Sequence, residues 1–382
     1  MAPTSNRRLR VAVLFGGRSA EHEISLLSAR FVVESLDRSK YEPILVGIDK
    51  SGRWLLQDEA FLLSAARDPR LVKLNQAMPG LLLPPHPAEA GEAFVGASLL
   101  RAGVSDVAPQ NVDVIFPVLH GPMGEDGTMQ GLLELTGVPY VGAGVLGSAV
   151  GMDKDVMKRL LLQAGLPVLP YETVRQNEWR NGPSVVRERL ARLGFPQFVK
   201  PANLGSSVGV SRAKSEAELA PAVELAFEFD DKLVIEAGLD HPREVECAVL
   251  GGETPRASVA GEITIDHPDG FYSYAAKYVD DSGVATRIPA ELSSAQSDAV
   301  QRLALATFRT LECEGLARVD LFLDKSGELY VNEINTLPGF TAISMFPKLW
   351  AASGVPASEL MTILIEDALS RAARKRARRS SV

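Results

Sequence analysis

Residues 315–335, GLARVDLFL, DKSG and ELYVNEIN, read as two strands joined by a tight turn. A four-residue DKSG connection would oppose Leu323 to Glu328, Asp320 to Val331 and Arg318 to Glu333. Alternation then puts Arg318, Asp320, Phe322, Glu333 and Asn335 on one face, and Val319, Leu321, Leu323, Tyr330 and Ile334 on the face that packs on a core. Asp320 and Glu333 become diagonal neighbours, with Cα atoms roughly 7–8 Å apart, a spacing that admits one divalent cation. Asp, Glu and Asn offer only oxygen ligands, so the ion implied is hard, Mg²⁺ rather than Zn²⁺, and Mg²⁺ held by a few carboxylates normally bridges nucleotide phosphates. A solvated polar face would show the same alternation. The adjoining TLPGFTAISMFP, a loop of small residues able to offer backbone N–H groups, favours a site.

Lys154, Lys200 and Lys277 each lie outside a smooth solvent-facing helical stripe. Lys200 ends a strand and leads into Asn203-Leu204-Gly205-Ser206-Ser207-Val208-Gly209, glycines and hydroxyls suited to a loop folded over phosphates. A single lysine is usually a surface residue, so the argument rests on the three together. Two other motifs fit less well. GAGVLG (142–147) matches G-x-G-x-x-G but lacks the acid about 20 residues on that would meet a ribose. GSSVG (205–209) matches G-x-S-x-G with Ser207 at its centre, and His241 or His267 could serve as base, which makes an acyl hydrolase the rival enzyme class. An elbow of that kind needs a strand leading straight in and a helix leading out, whereas Pro201 intervenes and VGVSRA looks extended. No two of the five histidines sit at metal-ligand spacing; His120 stands out because it ends a strand beside Gly121 and Gly124.

The elements that must position these groups follow from periodicity. RVAVLFGG is a short buried strand ending in a glycine turn, residues 19–36 have helical spacing, and YEPILVGID is a second strand, which indicates a parallel α/β sheet. Ligands of such sheets sit at the carboxyl ends of strands, where Glu21 and Glu23 would lie. Residues 66–110, with four prolines between 79 and 87, read as an insertion or long surface connection. VDVIFPVLH is a strand, MDKDVMKRLLLQAGLP a helix with its stop, and helices are expected near 215–229 and 293–311. The later regions, strands with a few helices, have α+β character.

The 382 residues carry a net charge of −8, and six basic residues crowd the end: Arg371, Arg374, Lys375, Arg376, Arg378 and Arg379. The remaining body is more acidic still, a poor partner for nucleic acid, and the tail reads as a solvated fringe. Two cysteines without C-x-x-C spacing suggest no oxidising compartment. VAVLF is too short for a signal core, and the longest uncharged run, 135–152, holds five glycines and a proline. A cytoplasmic protein with no membrane span is expected.

LFGGRSAEHEISL, HGPMGEDGTMQGLLE, GMDK, FVKPANLGSSVGV, REVECAVLG, FYSYAAKY, ARVDLFL and VNEINTLPGFTAISMFP, in order from Leu14 to Pro347, resemble the D-alanine:D-alanine ligases of the ATP-grasp superfamily. The resemblance implies a three-domain ATP-grasp architecture of α/β and α+β domains: a Rossmann-like substrate-binding domain (1–150), a central subdomain (151–238), and a C-terminal subdomain (239–382) with the metal site and a lid. It implies ATP as co-substrate, Mg²⁺ or Mn²⁺ as two ions, and a homodimer. The reaction expected is phosphorylation of one D-alanine carboxylate to an acyl phosphate, then attack by a second D-alanine amine, for peptidoglycan precursor synthesis. Cations must neutralise the moving phosphoryl group and water must be excluded.

By the same resemblance, Asp320, Glu333 and Asn335 are the metal ligands and Lys154, Lys200 and Lys277 bind phosphates. Glu236 and Leu239 meet the adenine, Glu244 the ribose, and Phe322 packs near the base. Glu21, linked through Ser206 and Tyr278, holds the first D-alanine's ammonium, with His120 close by. Arg318 and the Gly339 N–H stabilise the oxyanion, Ser344 and Met345 meet the second substrate's carboxylate, and 271–287 form a closing lid. Tyr278 resembles the dipeptide-forming ligases rather than those making D-alanyl-D-lactate, the alternative acceptor. Two departures are Ala237, where many relatives have lysine, and GMDK for SMDK.

Overall fold

The computed structural model describes residues 7–64, 72–82, 98–101, 110–265 and 284–378. The chain begins β1 (Leu9–Gly16), α1 (His22–Ser35), β2 (Tyr41–Ile48), β3 (Trp54–Gln57), α2 (Glu59–Ser64), β4 (Leu81–Leu82), β5 (Ser98–Arg101), β6 (Gln110–Asn111), β7 (Val114–Pro117), α3 (Thr128–Thr136) and α4 (Val145–Met152). A four-stranded sheet of order β3-β2-β1-β7 results, parallel except at its β3 edge. Val11 to Phe15 are buried on both faces, as a central parallel strand requires. At Gly16, φ is +92° and a Cβ would lie 2.2 Å from the Ile48 carbonyl oxygen, so only glycine lets β1 turn there toward α1. The helix starts at His22 rather than 19, which leaves Glu21 at the N-cap position, where its side chain makes no capping hydrogen bond. Within 66–110, the described residues do more than connect. They form the short antiparallel strands β4 to β6, and Val72 and Leu74 join the first core.

The middle of the chain runs α5 (Lys154–Gln163), β8 (Tyr171–Arg175), α6 (Gln176–Asn181), α7 (Pro183–Ala191), β9 (Gln197–Pro201), β10 (Ser211–Ala213), α8 (Glu216–Ala226) and β11 (Lys232–Ala237). Its antiparallel sheet, β10-β9-β11-β8, packs one face on Trp179, Val186, Leu190, Leu219 and Val223. The other face carries Phe198, Lys200, Arg212 and Glu236 toward a cavity. The last part runs β12 (Arg243–Leu250), β13 (Arg256–Ile265), β14 (Val284–Arg287), α9 (Ser294–Thr310), β15 (Leu316–Leu323), β16 (Leu329–Asn335), α10 (Met345–Ala352) and α11 (Ala357–Arg376). Its five strands order β14-β13-β12-β15-β16. Val245, Cys247, Val319 and Leu321 pack on α5 and α9. The opposite face changes along its length: Glu244, Glu246, Asp320 and Phe322 line the cavity, while Ala248, Leu250 and Leu316 join the core beneath α10 and α11.

The basic end is not a solvated fringe. Helix α11 returns to the first sheet, where Leu360, Met361, Leu364, Ile365 and Ala368 share a core with Val11, Val114 and Phe116. Arg371 is 4% exposed, bonds Asp367 at 2.8 Å and Glu314 at 3.2 Å, and donates to the carbonyls of Tyr140 and Gly142 at 3.0 and 2.9 Å. Lys375 pairs with Glu134, Arg374 with Glu253, and Arg376 caps the Gly137 carbonyl. Arg379 lies outside the described residues. Periodicity does not show this because most of the partners lie more than 100 residues away in the chain. No helix among the described residues is long and apolar enough to cross a membrane. Arg371→Ala should lower the unfolding free energy by about 3 kcal/mol in urea titrations, since it strands two buried carbonyls and two partly buried carboxylates. Arg378→Ala, at an exposed position, should change it by less than about 0.5 kcal/mol.

Candidate active site

A cavity of about 370 Å³ lies between the middle and last sheets. Lys154, Lys200, Glu236, Leu239, Glu244, Arg318, Asp320, Phe322 and Glu333 all line it, so the structure brings together most of the groups singled out from the sequence. Across the middle sheet, Arg212 and Glu236 both register against Phe198, which puts cation, ring and carboxylate in one row. Lys200 Nζ donates to Glu236 Oε2 at 2.8 Å and to Asn332 Oδ1 at 3.0 Å. A second lysine, Lys158, sits 2.9 Å from Glu236 Oε1. Burial alone would raise the Glu236 carboxyl, but the two ammonium groups outweigh it and hold it down at about 2. Ala237 lines the same cavity, so no lysine stands at that position.

The hairpin departs from the register expected of it. Leu323 pairs with Leu329 rather than Glu328, and beyond Leu321 a bulge shifts the ladder again, so Asp320 faces Glu333 directly and Arg318 faces Asn335. Two causes act. The Asp324 carboxylate accepts from the Ser326 and Glu328 N–H groups and draws Glu328 into the turn. The extra residue at Asn332 then lets both Val331 and Ile334, three apart, face the core. Tyr330, expected on the core face, is only half-buried. The row continues into β12, where Glu246 registers with Asp320. Arg318 holds both Asp320 oxygens at 2.6 Å and Glu246 at 3.0 Å. Burial would lower its pKa, but these carboxylates outweigh that and keep it fully charged. Asn335 donates to Asp320 at 2.9 Å and Lys154 lies 3.4 Å from Glu333. Two carboxylates and an amide, all oxygen donors, fit a hard divalent ion that keeps waters and phosphate oxygens as its other ligands.

A second cluster lies at the carboxyl ends of the first sheet's strands. Ser206 donates to Glu21, and Lys154 Nζ donates to the Leu204 carbonyl at 2.6 Å, so the serine loop is tied to both clusters. Ser206 and Ser207 hold φ of +53° and +57°, a left-handed conformation that non-glycine residues rarely adopt. Gly209 follows at +70°, where a Cβ would meet the Phe229 ring at 2.7 Å. His120 is 4% exposed, with Ser28 Oγ 3.0 Å from Nε2, the Leu337 carbonyl 3.1 Å from Nδ1, and Glu125 at 3.5 Å. It therefore joins the first unit to the loop carrying Gly339 and Ser344. Burial pushes the Glu125 carboxyl up to about 7, with the charge of Glu21 adding to it. Ser344 accepts from the Thr341 N–H at 3.0 Å. The Met345 side chain is buried against Gly261, so what that position can offer a ligand is its backbone at the start of α10.

Lys277 and Tyr278 lie outside the described residues, as do His267 and most of the expected lid. The serine-nucleophile alternative fails on topology: GSSVG connects β9 to β10, strand to strand, with no helix leading out. Sequence reasoning missed Lys158, Glu246, Asn332, Arg212, Ser28 and Glu125. Lys158 had a readable signal, since it sits one turn after Lys154 between Met157 and Leu161, on the buried side of α5.

Family profiles described as D-ala D-ala ligase N-terminus and D-ala D-ala ligase C-terminus match residues 10–143 and 160–366. The chain belongs to the D-alanine–D-alanine ligase family. It is 47% identical over 374 residues to a D-alanine–D-alanine ligase of Shouchella clausii, covering 98% of each chain, and 46% identical to D-alanine–D-alanine ligase A of Escherichia coli K12, covering 95% of this chain and 96% of the relative. The fold is shared with the D-alanine-D-alanine ligase from Coxiella burnetii (TM-score 0.81, 38% identity, 97% and 96% covered). It is also shared with the VanG D-Ala:D-Ser ligase from Enterococcus faecalis (TM-score 0.80, 32% identity, 95% and 100% covered). In this ligase-family chain the depressed Glu236 carboxyl contributes stability that is full above pH 4.5, its ordinary value, and lost as the pH falls toward about 2. Glu236→Gln should thus be less stable than wild type by about 3 kcal/mol near neutrality, with the gap closing in urea titrations carried down in pH.

Proposed function

We propose that this chain joins two D-alanine molecules with ATP as the energy source, through an acyl phosphate on the first D-alanine. The observation that carries the reading is the meeting of two clusters through one loop: the cation-lined cavity between two sheets, and Glu21 with His120 at the strand ends of the first unit. We assign the cavity to the nucleotide, with Glu236 and Leu239 at the base beside Phe322, Glu244 at the ribose, and Lys154, Lys200 and Lys277 at the phosphates.

Asp320, Glu333 and Asn335 would hold Mg²⁺ or Mn²⁺, in two ions. When bound, the metal supplies charge neutralisation for the transferring phosphoryl group. Arg318, once it shares Asp320 with another cation, keeps Glu246 as a partner and presents its remaining N–H donors to the cavity. Preorganised donors of that kind, with the Gly339 N–H, suit the oxyanion that forms when the second amine attacks. Glu21, oriented by Ser206 and joined by Tyr278, suits the ammonium of the first D-alanine beside His120; Ser344 and the Met345 backbone suit the carboxylate of the second. Domain boundaries near 150 and 238, a homodimer and a cytoplasmic setting belong to the same proposal, supported by family membership.

Incubation with Mg-ATP and D-alanine should release phosphate only when D-alanine is present, and mass spectrometry should find D-alanyl-D-alanine. Asp320→Ala and Glu333→Ala should each lower the rate by at least about 10³-fold. D-lactate or D-serine added with D-alanine should give no mixed product. No D-alanine-dependent turnover at saturating Mg-ATP would sink the reading, and a depsipeptide product would reassign the acceptor.

A further inference from the structure

Lys158 places an amine where the fold could have used a hydrocarbon; burial pulls its pKa below the ordinary lysine value, and the charge of Glu236 opposes that pull. Its side chain is fully buried, and its neighbours on α5, Met157 and Leu161, pack into the core of the last sheet. Burying an ammonium costs several kcal/mol unless its partner is well placed. The partner is Glu236, itself 1% exposed, whose Oε1 lies 2.9 Å from Lys158 Nζ; the Tyr171 ring lies beyond, 5.6 Å from the same nitrogen.

Glu236 is thus held by two cations on different sides. Lys200, on Oε2 at 2.8 Å, lines the cavity and also reaches Asn332, whereas Lys158 does not line it. With a single lysine, Glu236 would face a conflict when a polyphosphate arrived. Turning that lysine toward phosphate would strand a buried carboxylate, and keeping it on the carboxylate would withhold it from the ligand. A second cation behind the carboxylate removes the conflict. We propose that Lys158 is a positioning residue for nucleotide binding, the permanent counter-ion of Glu236 that lets Lys200 turn to the phosphates. The proposal rests on the nucleotide reading of the cavity.

The test is calorimetric titration of the full chain with Mg-ATP, without D-alanine, on wild type, Lys158→Met, Lys158→Arg, Glu236→Gln and the Lys158→Met/Glu236→Gln double variant. Lys158→Met should bind about tenfold more weakly and raise KM for ATP more than it lowers kcat, while Lys158→Arg stays within about threefold of wild type. In the Glu236→Gln background, Lys158→Met should add nothing, because the carboxylate that retains Lys200 is gone. The double variant, with both buried charges removed, and Lys158→Arg carry the test should Lys158→Met fold poorly. Wild-type affinity in folded Lys158→Met, or additive losses in the double variant, would overturn the proposal while leaving the nucleotide reading intact. A wild type that binds no nucleotide would overturn both.

Discussion

Three of the described cations that would meet a polyanion, Lys154, Lys200 and Arg318, are already committed to carboxylates. Lys200 is bonded to Glu236, Lys154 lies beside Glu333, and Arg318 is clamped between Asp320 and Glu246. In a chain with a net charge of −8, positive charge gathered in a partly buried cavity needs such partners, because an unpaired charge there would be expensive to desolvate. Nucleotide binding here, as proposed, would be an exchange of partners rather than capture by free cations. Each carboxylate released must find another positive group, and the pair that faces one another across the hairpin, Asp320 and Glu333, is the pair suited to a divalent ion.

That exchange depends on backbone detail. Strict alternation would set Asp320 and Glu333 diagonally and turn Asn332 away from them. The bulge brings the two carboxylates opposite one another and also lets Asn332 reach Lys200 on the facing sheet. One inserted residue therefore shapes the oxygen set and supplies Lys200 with a second acceptor. Glu246 and Glu244 need no such device. They fall on the cavity face of β12 by ordinary period two and register with Asp320 and Phe322.

Much of this was legible in the sequence. The strand, helix and strand order of the first unit, the long helix near 293–311 and the oxygen-only character of the hairpin follow from residue types and local spacing. The parity conflict between Val331 and Ile334 is also readable, since two apolar residues three apart cannot share one face of a regular strand, but nothing in DKSG marks Glu328 as a fifth turn residue drawn in by Asp324. Other features have no local signature. Arg371 reads like its exposed neighbours in a basic run, and only contact with the Tyr140 and Gly142 carbonyls makes it different. Lys158 has the spacing of a core residue and the chemistry of a surface one, and its role depends on Glu236, which is 78 residues away in the chain.

The serine loop shows how the two halves of the site depend on each other. Two consecutive non-glycine residues in the left-handed region, Ser206 and Ser207, cost about 1–3 kcal/mol each relative to relaxed backbone. Such a conformation persists only where its surroundings hold it. The bond from Ser206 to Glu21 of the first unit is one tie, and the Lys154 contact at the Leu204 carbonyl, from the helix behind the cavity, is another. Gly209 lets the chain close against Phe229 and Pro201 at the far end. The backbone that would cover the phosphates is thus held in part by the carboxylate assigned to the first amino acid. On the roles proposed for Glu21 and the loop, a change in what Glu21 binds would alter one of the forces holding the loop, and occupancy at one end of the site would have a direct mechanical route to the other.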